Sequence, residues 1–137
     1  MLKFRTKGEF EARISDLMIK FQKEKVGRGA ESARTFICHD MIIVRLERAL
    51  TPIEKTLLQS EEGKKVIKEL RVRLSEIVKP ELEKLISSIS EANVKSVHFD
   101  ISTKTGEYIY VFIMDRILEF GDGAKGPCRV QLPDNQL

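Results

Sequence analysis

The fold is decided by residues 27–58, which read GRGAESARTFICHDMIIVRLERALTPIEKTLL. Within this segment, residues 33–39 and 41–48 form two runs of β-branched and apolar side chains that lack helical spacing. His39 and Asp40 separate the two runs, and a short polar pair in that position predicts a two-residue turn. The segment therefore predicts an antiparallel β-hairpin.

The turn also determines which side chains face each other across the hairpin. A two-residue turn pairs Phe36 with Ile43 and Arg34 with Arg45, so these four side chains point to one face. The opposite face is the better candidate for the core, and it contains Thr35, Ile37, Ile42, Val44 and Leu46.

The helix start after the hairpin is the clearest local signal in the chain. Thr51 occupies the N-cap, Pro52 the first helical position and Glu54 the third. The Thr51 hydroxyl can accept the N–H of Glu54, and the Glu54 carboxylate can accept the N–H of Thr51. Pro52 suits its position because the N–H there is unpaired in an α-helix.

Amphipathic helices precede and follow the hairpin. Residues 8–25 repeat apolar side chains at helical spacing, and Gly27 suits the left-handed conformation in which many helices end. The helix after the hairpin is predicted to break or bend near residues 60–63. Pro80 is predicted to kink or end the next segment because it cannot donate a hydrogen bond, although an apolar stripe continues to about residue 91.

A second hairpin completes the predicted fold. Residues 94–102 and 107–119 contain two β-like runs, and the last run is apolar on both faces, which predicts cover on both sides. The order helix, hairpin, helix, hairpin (αββαββ) predicts an α+β fold of two layers, with helices covering a four-stranded antiparallel sheet. We expect one domain over residues 1–120 and a flexible tail over residues 121–137, which are rich in glycine and polar residues.

Composition limits the class of protein. The chain has 137 residues, of which 42% are hydrophobic and 33% charged, which suits one folded core. Its net charge of +3 arises from interspersed basic and acidic residues, whereas nucleic-acid binders usually concentrate basic residues on one face. No apolar run approaches the roughly 18 residues that span a bilayer, so we expect no membrane span.

Cysteine and histidine usage predicts a reduced compartment and no metal. Cys38 and Cys128 are too few for a disulfide framework, and neither lies in a C-x-x-C pair. Two histidines and two separated cysteines also lack metal-ligand spacing. We therefore expect a cytoplasmic protein without a metal or another cofactor.

The glycine loop is the first candidate for an anion or partner site. Gly27, Arg28 and Gly29 offer backbone N–H groups and a guanidinium to an anion. The same residues also suit a helix cap followed by a turn, and they lack the spacing of a phosphate-binding loop.

Arg34 and Arg45 are the second candidate. If they face each other across the hairpin, they repel unless an anion, an acidic residue or a partner lies between them. Glu31 and Glu47 are near enough in sequence to neutralise them. The pair therefore indicates either an anion or partner site or an internal ion-pair network.

His98 and Asp100 are the third candidate, because residues two positions apart on a strand share a face. They could act as a general base and its orienting acid, although strand residues of this kind are more often simply solvated. An enzyme acting on a small anionic substrate would need a pocket that joins them to Arg34 or Arg45. Cys38 is expected to be a small buried side chain, and we assign no catalytic residue.

Five motifs in the same order along the chain resemble a known family. They are GRGAES (27–32), DMIIV (40–44), LTPIEK (50–55), VHFDISTKTG (97–106) and Asp115. Together they resemble a family named for the Na+-translocating membrane-potential-generating system.

The resemblance spans roughly residues 8–119, and the glycine-rich tail lies outside it. The fourth position of the loop, which is often proline in the family, is Ala30 here. The family name implies a role beside a membrane ion system, and hence a membrane-protein partner. It offers no catalytic residues that match positions of this chain.

The favoured function is a non-enzymatic domain that forms a homodimer and acts through protein contacts. An apolar last strand and a partly apolar second sheet face need a cover, and a second copy is the simplest one. With the resemblance, this predicts an accessory or regulatory component of a membrane ion-translocating system.

An RNA- or DNA-binding module is the alternative. It would need Arg28, Arg34, Arg45, Arg71 and Arg73 on one surface, and its binding would weaken steeply with salt.

Overall fold

The computed structural model describes residues 6–27 and 30–120 of the chain. The elements are α1 (Lys7–Val26), β1 (Ser32–Cys38), β2 (Met41–Glu47), α2 (Pro52–Leu57), α3 (Glu61–Ser90), β3 (Val94–Ile101) and β4 (Tyr108–Met114). The predicted order is therefore confirmed, with the second helical region divided into α2 and α3 where the break was expected. The predicted flexible tail lies outside the described residues.

The four strands form one antiparallel sheet in the order β1-β2-β4-β3. The two hairpins are joined by pairing between β2 and β4. In the first hairpin Arg34 pairs with Arg45 and Phe36 with Ile43, which confirms the predicted register. Helices together with an antiparallel sheet confirm the predicted α+β class.

Both long helices lie against the same face of the sheet. The hydroxyl of Ser15 on α1 lies 2.8 Å from that of Thr35 on β1, and the hydroxyl of Ser75 on α3 lies 3.2 Å from that of Tyr110 on β4. Thr35 and Tyr110 both pair with Val44 of β2, and directly paired residues point to one face. The core between this face and the helices includes Phe10, Ile14, Met18, Ile37, Ile42, Val44, Leu46, Ile67, Leu82, Ile86, Tyr108 and Phe112.

The predicted helix boundaries follow from local hydrogen bonds. Gly27 ends α1 with a φ of 90° and donates its N–H to the carbonyl of Lys23 at 3.0 Å. At the start of α2, Thr51 donates its N–H to Glu54 Oε1 at 2.9 Å, and Glu54 donates its N–H to Thr51 Oγ1 at 3.3 Å. Both caps are the ones that the sequence predicts.

Pro80 lies inside α3, a helix of 30 residues that continues to Ser90. Of the two predicted outcomes, a kink or an end, the end was wrong. Val78 and Leu82 on either side are buried against the sheet, whereas Pro80 is exposed. Packing of this continuous apolar stripe outweighs the one hydrogen bond that proline removes.

The left-handed residue at the end of α3 is Glu91, with a φ of 54°, although asparagine, as at Asn93, is a more usual residue in that conformation. The backbone N–H and the side-chain amide of Asn93 instead donate to the two carboxylate oxygens of Asp115, each at 3.1 Å. These bonds tie the start of β3 to the end of β4.

A buried ion pair between Glu54 and Arg71 joins α2 to α3. The two residues are 4% and 2% exposed, and the guanidinium also donates to the Ala49 carbonyl at 3.2 Å. Burial raises the pKa of Glu54, but the bonds and charge of Arg71, with bonds from Thr51, outweigh it, so the pKa lies below its ordinary value. Arg71 is thus a structural residue, because removing one partner of a buried pair leaves an uncompensated charge.

Candidate functional site

The face of the sheet that points away from the helices is apolar at its centre. Phe36 and Ile109 are 45% and 36% exposed, and the other central side chains are half-buried by their strand neighbours. We call the six residues the open face: Phe36, Met41, Ile43, Ile109, Val111 and Ile113. Among the described residues, no helix packs on this face, since α1 and α3 contact the opposite one.

The strand register arranges this side of the sheet in rows that cross all four strands. The central row contains Phe36, Ile43, Val111 and His98. The row on the turn side contains Cys38, Met41, Ile113 and Ser96. The row farther from the turn contains Arg34, Arg45, Ile109 and Asp100. The site residues that the sequence predicted on the strands therefore lie at the border of the open face.

Arg34 and Arg45 are neutralised by acids of the same chain. Arg34 Nη2 donates to Glu47 Oε1 at 2.9 Å, and Arg45 Nε donates to Glu107 Oε2 at 2.9 Å. The hydrogen bond and charge of Glu107, with the charge of Glu47, raise the pKa of Arg45. The pair is thus an internal ion-pair network at the border of the open face, with Glu47 in the predicted role and Glu107 as an acid that the sequence did not indicate.

Of the glycine loop, the structure describes Gly27, which lies at the end of α1. Gly27 acts as a helix cap, while Arg28 and Gly29 lie outside the described residues. Glu31, which the sequence suggested as a partner of Arg34 or Arg45, instead accepts a hydrogen bond from Arg48 Nη1 at 2.9 Å.

His98 and Asp100 share a face, as predicted, but they bond to different groups. His98 Nε2 lies 3.2 Å from Ser96 Oγ. Asp100 Oδ1 accepts the N–H of Ile101 at 2.9 Å and lies 3.7 Å from Lys68 Nζ. This arrangement does not orient the imidazole in the way that a general base requires.

The residues that an anionic-substrate enzyme would need are also spread out. Ile109 separates Arg45 from Asp100 within their row, which places the two strands roughly 10 Å apart. His98 lines a groove beside α3, away from both arginines. Neither arginine lines that groove, and Asp100 does not line it either.

The arginines that a nucleic-acid surface would need face different directions. Arg34 and Arg45 lie on the outer side of the sheet, whereas Arg71 of α3 is buried in its ion pair with Glu54. Arg73 is exposed on α3, where it bonds a glutamate of the same helix. These four residues do not form one basic surface, and Arg28 lies outside the described residues.

The described residues contain neither a cluster that could hold a metal ion nor a membrane-spanning helix. No group of three or more histidine, cysteine, aspartate or glutamate side chains there could hold a metal ion. No helix in residues 6–27 and 30–120 has the length and apolar character needed to cross a membrane.

Comparison with known proteins extends the resemblance seen in the motifs. Residues 6–116 match the model of the family described as Na+-translocating membrane potential-generating system (MpsC). The uncharacterized protein YbcI of Bacillus subtilis (strain 168) is 40% identical over 115 residues, which are 84% of this chain and 93% of that protein. No solved structure matches the chain. Since the family match covers every helix and strand described above, the chain belongs to the MpsC family of the Na+-translocating membrane potential-generating system.

Proposed function

We propose that this protein is a non-enzymatic, cytoplasmic domain that dimerises and acts through protein contacts, as an accessory part of a membrane ion-translocating system. The open face is the observation that supports the proposal most directly. The family description supports the link to an ion-translocating system.

The open face favours a protein contact because its residues are apolar and contiguous. Ile43 and Val111 lie at its centre, and Phe36, Met41, Ile109 and Ile113 surround them. Isolated exposed apolar residues are normal, but a contiguous patch with a polar border is typical of an interaction surface.

A second copy is the partner that the border charges favour. A two-fold axis parallel to the strands, between β2 and β4, sets β1 over β3 of the second copy. Each row of residues in one copy then lies over the same row of the second copy, with the order of the strands reversed. Ile43 therefore opposes Val111 of the second copy, and Arg34 opposes its Asp100. In the central row, apolar side chains of the two copies contact each other. In the row that begins with Arg34, a base lies opposite an acid at both ends.

Other two-fold arrangements lack this complementarity. An axis perpendicular to the strands would lay Arg34 over Cys38 and Arg45 over Met41, two side chains that carry no charge. The parallel axis also agrees with the small crossing angle that twisted sheets adopt when they pack face to face.

The size of the face limits the strength of the dimer. Strands of seven residues, as in β1, β2 and β4, give a face of roughly 15 Å by 23 Å. This is small beside the roughly 800 Å² per partner of a standard interface, so we expect a dimer that dissociates on dilution.

Sedimentation velocity over roughly 1–100 μM tests the proposal, because a reversible dimer changes its mean sedimentation coefficient across that range. The variant Ile43→Glu places a carboxylate at the centre of the apolar contact, where it has no partner, so we expect it to remain monomeric.

Ile77→Glu is the matched control. Ile77 is 76% exposed on α3, on the other side of the sheet, and should tolerate the same change without effect on the dimer. A wild-type chain that stays monomeric throughout the range would contradict the proposal. Equal loss of the dimer in both variants would show that the contact lies elsewhere.

A further inference from the structure

The outer side of β3 has backbone groups available for another strand. Met114 of β4 donates its N–H to the Asp40 carbonyl, towards β2, at 2.7 Å. The backbone N–H and C=O groups of successive residues in a strand point to opposite sides. Those of Ile109, Val111 and Ile113 therefore bond in the other direction, to β3. Beyond the end of β3, Ser102 donates its N–H to the Glu107 carbonyl at 2.9 Å, which continues the same ladder.

This alternation determines which groups of β3 point outward. His98 and Asp100 pair with Val111 and Ile109 and bond inward, so Val97 and Phe99 turn their N–H and C=O groups away from the sheet. In residues 30–120 no strand pairs with that side.

The opposite edge of the sheet differs because α1 protects it. Ile37 on β1 also turns its N–H outward, but Glu11 of α1 accepts that N–H at 3.0 Å. Ser15 of the same helix bonds the Thr35 hydroxyl at 2.8 Å. Natural sheets cover their edges in this way, which makes the uncovered stretch of β3 informative.

The available stretch of β3 is short and well defined. At its end, the outward N–H of Ile101 is already bonded to Asp100 Oδ1. At its start, the register shifts between Val94 and Ser96, and this irregularity interrupts the regular pattern. Val97 and Phe99 therefore offer two donors and two acceptors in regular strand geometry.

A groove of about 230 Å³ lies beside this stretch, between α3 and β3. Val72 of α3 and Phe99 of β3 contribute apolar surface to it, and Glu76 and Lys79 contribute charged groups. In a strand added to β3, alternate side chains would point to the helical side of the sheet and into this groove.

We infer that the outer edge of β3 binds an extended segment of a partner protein as a fifth strand, with one apolar side chain in the groove under α3. Main-chain bonds to Val97 and Phe99 supply affinity and the groove supplies selectivity, as in other strand-addition sites. Lys79 in the groove and Lys95 near the start of β3 have no ion-pair partner among the described residues, and together they outnumber Glu76, the acid that lines the groove. Charge complementarity therefore favours acidic residues on either side of the apolar one.

This site is distinct from the open face, and its occupant differs from the second copy proposed there. Pairing of β3 with β3 of a second copy through the same outward groups would place His98 beside its own equivalent and the basic Lys95 beside Ile101. Neither contact uses the charges of the groove. A heterologous acidic segment satisfies both the backbone groups and the lysines.

Selection of phage-displayed random dodecapeptides on the full-length chain tests the inference. We expect enriched peptides with an apolar residue between acidic ones. Val97→Pro removes one outward N–H and leaves the bonds to β4 intact, so it should weaken the selected peptides by roughly tenfold or more.

Val97→Thr is the matched control, because it keeps the N–H and the β-branched shape and should bind as the wild type does. Ile43→Glu should also retain binding, which separates this site from the dimer contact. Amide hydrogen exchange of the wild-type chain provides a second measurement that does not depend on folding of the proline variant. The peptide should slow exchange at Val97 and Phe99.

Three results would overturn the inference. The first is no enrichment above background, and the second is peptide binding that leaves the exchange of these two amides unchanged. The third is dissociation of a dimer by Val97→Pro, since a second copy would then occupy this edge.

Discussion

Tyr108 and Tyr110 are the two tyrosines of the chain, and both are buried on the helical side of the sheet. Burial, the largest influence, raises the pKa of Tyr108 to about 12, although the charge of Arg71 acts in the opposite direction. Burial also raises the pKa of Tyr110 above its ordinary value. The Tyr108 hydroxyl donates to the Ala49 carbonyl at 3.2 Å, which favours its protonated form.

We expect the native protein to show no tyrosine ionisation near pH 10. Because the native pKa lies above the unfolded value of 10.0, Tyr108 contributes stability that is complete below pH 10 and is lost as the pH rises towards 12. Ultraviolet titration measures this directly, because the chain has no tryptophan. The urea-unfolded chain is the control and should ionise near pH 10, whereas half-ionisation of the folded chain at that pH would contradict the prediction.

Single residues also show where sequence reasoning reaches its limit. The bonds between Thr51 and Glu54 were predictable because three positions and two side-chain types define a capping box. The partner of Glu54 across the α2–α3 junction could not be predicted from the sequence. Arg71 lies 17 positions away and reaches Glu54 only after the two helices pack together. Arg45 is similar, since its bond to Glu107 depends on the pairing of β2 with β4.

The junction between α2 and α3 depends on a glycine. Gly63 lies in the first turn of α3 and donates its N–H to the Ser60 hydroxyl at 2.9 Å. A Cβ at this position would lie 1.8 Å from the carbonyl oxygen of Leu57, which belongs to the backbone and cannot rotate away. Close approach of the two helices therefore requires the absence of a side chain here.

We expect Gly63→Ala to destabilise the protein, although alanine ordinarily improves a helix by about 1 kcal/mol over glycine. The cost of moving the Leu57 backbone should exceed that gain and give a net loss of roughly 1–3 kcal/mol in unfolding free energy. Urea denaturation measures the difference.

Gly8→Ala is the control for this substitution. Gly8 lies in the first turn of α1, where the nearest atom to a new Cβ would be Thr6 Oγ1 at 3.9 Å. The same change there should stabilise the protein by about 0.5 kcal/mol. If both variants were stabilised, close packing at the junction would be wrong as an explanation.

Elements were predictable where one local pattern decides them. The hairpin of β1 and β2 follows from its two apolar runs and the short turn at His39-Asp40, and its register was correct. The course of α3 through Pro80 was not predictable from local rules, because those rules count the missing hydrogen bond and not the burial of Val78 and Leu82. The covered edge at β1 likewise arises from tertiary packing of α1.

At the scale of the whole molecule, the two proposed contacts use different sides of the sheet. The open face would pair two copies, and the outer edge of β3 in each copy would remain free for a partner strand. A dimer of this kind presents two equivalent edges, and engaging both raises the apparent affinity for a partner that offers two segments. This geometry agrees with the proposed role as an accessory component that acts through protein contacts.

The proposed dimer makes a specific charge prediction. Arg34→Glu and Asp100→Arg should each weaken the dimer by about tenfold, because each places two pairs of like charges at the border of the interface. The double variant restores opposite charges at both positions and should return the dissociation constant to within a few fold of the wild type. Sedimentation velocity at constant ionic strength measures all four proteins.

Arg73→Glu is the control for net charge, because it makes the same change on an exposed residue of α3 that is remote from the open face. Arg34 and Asp100 also bond Glu47 and Lys68 of their own chain, so part of each single effect is internal. Recovery in the double variant separates the two contributions, since the internal bonds stay broken while the contact between copies is rebuilt. A dimer that forms in the wild type but is not recovered in the double variant would keep the open face as the interface and exclude the two-fold axis parallel to the strands.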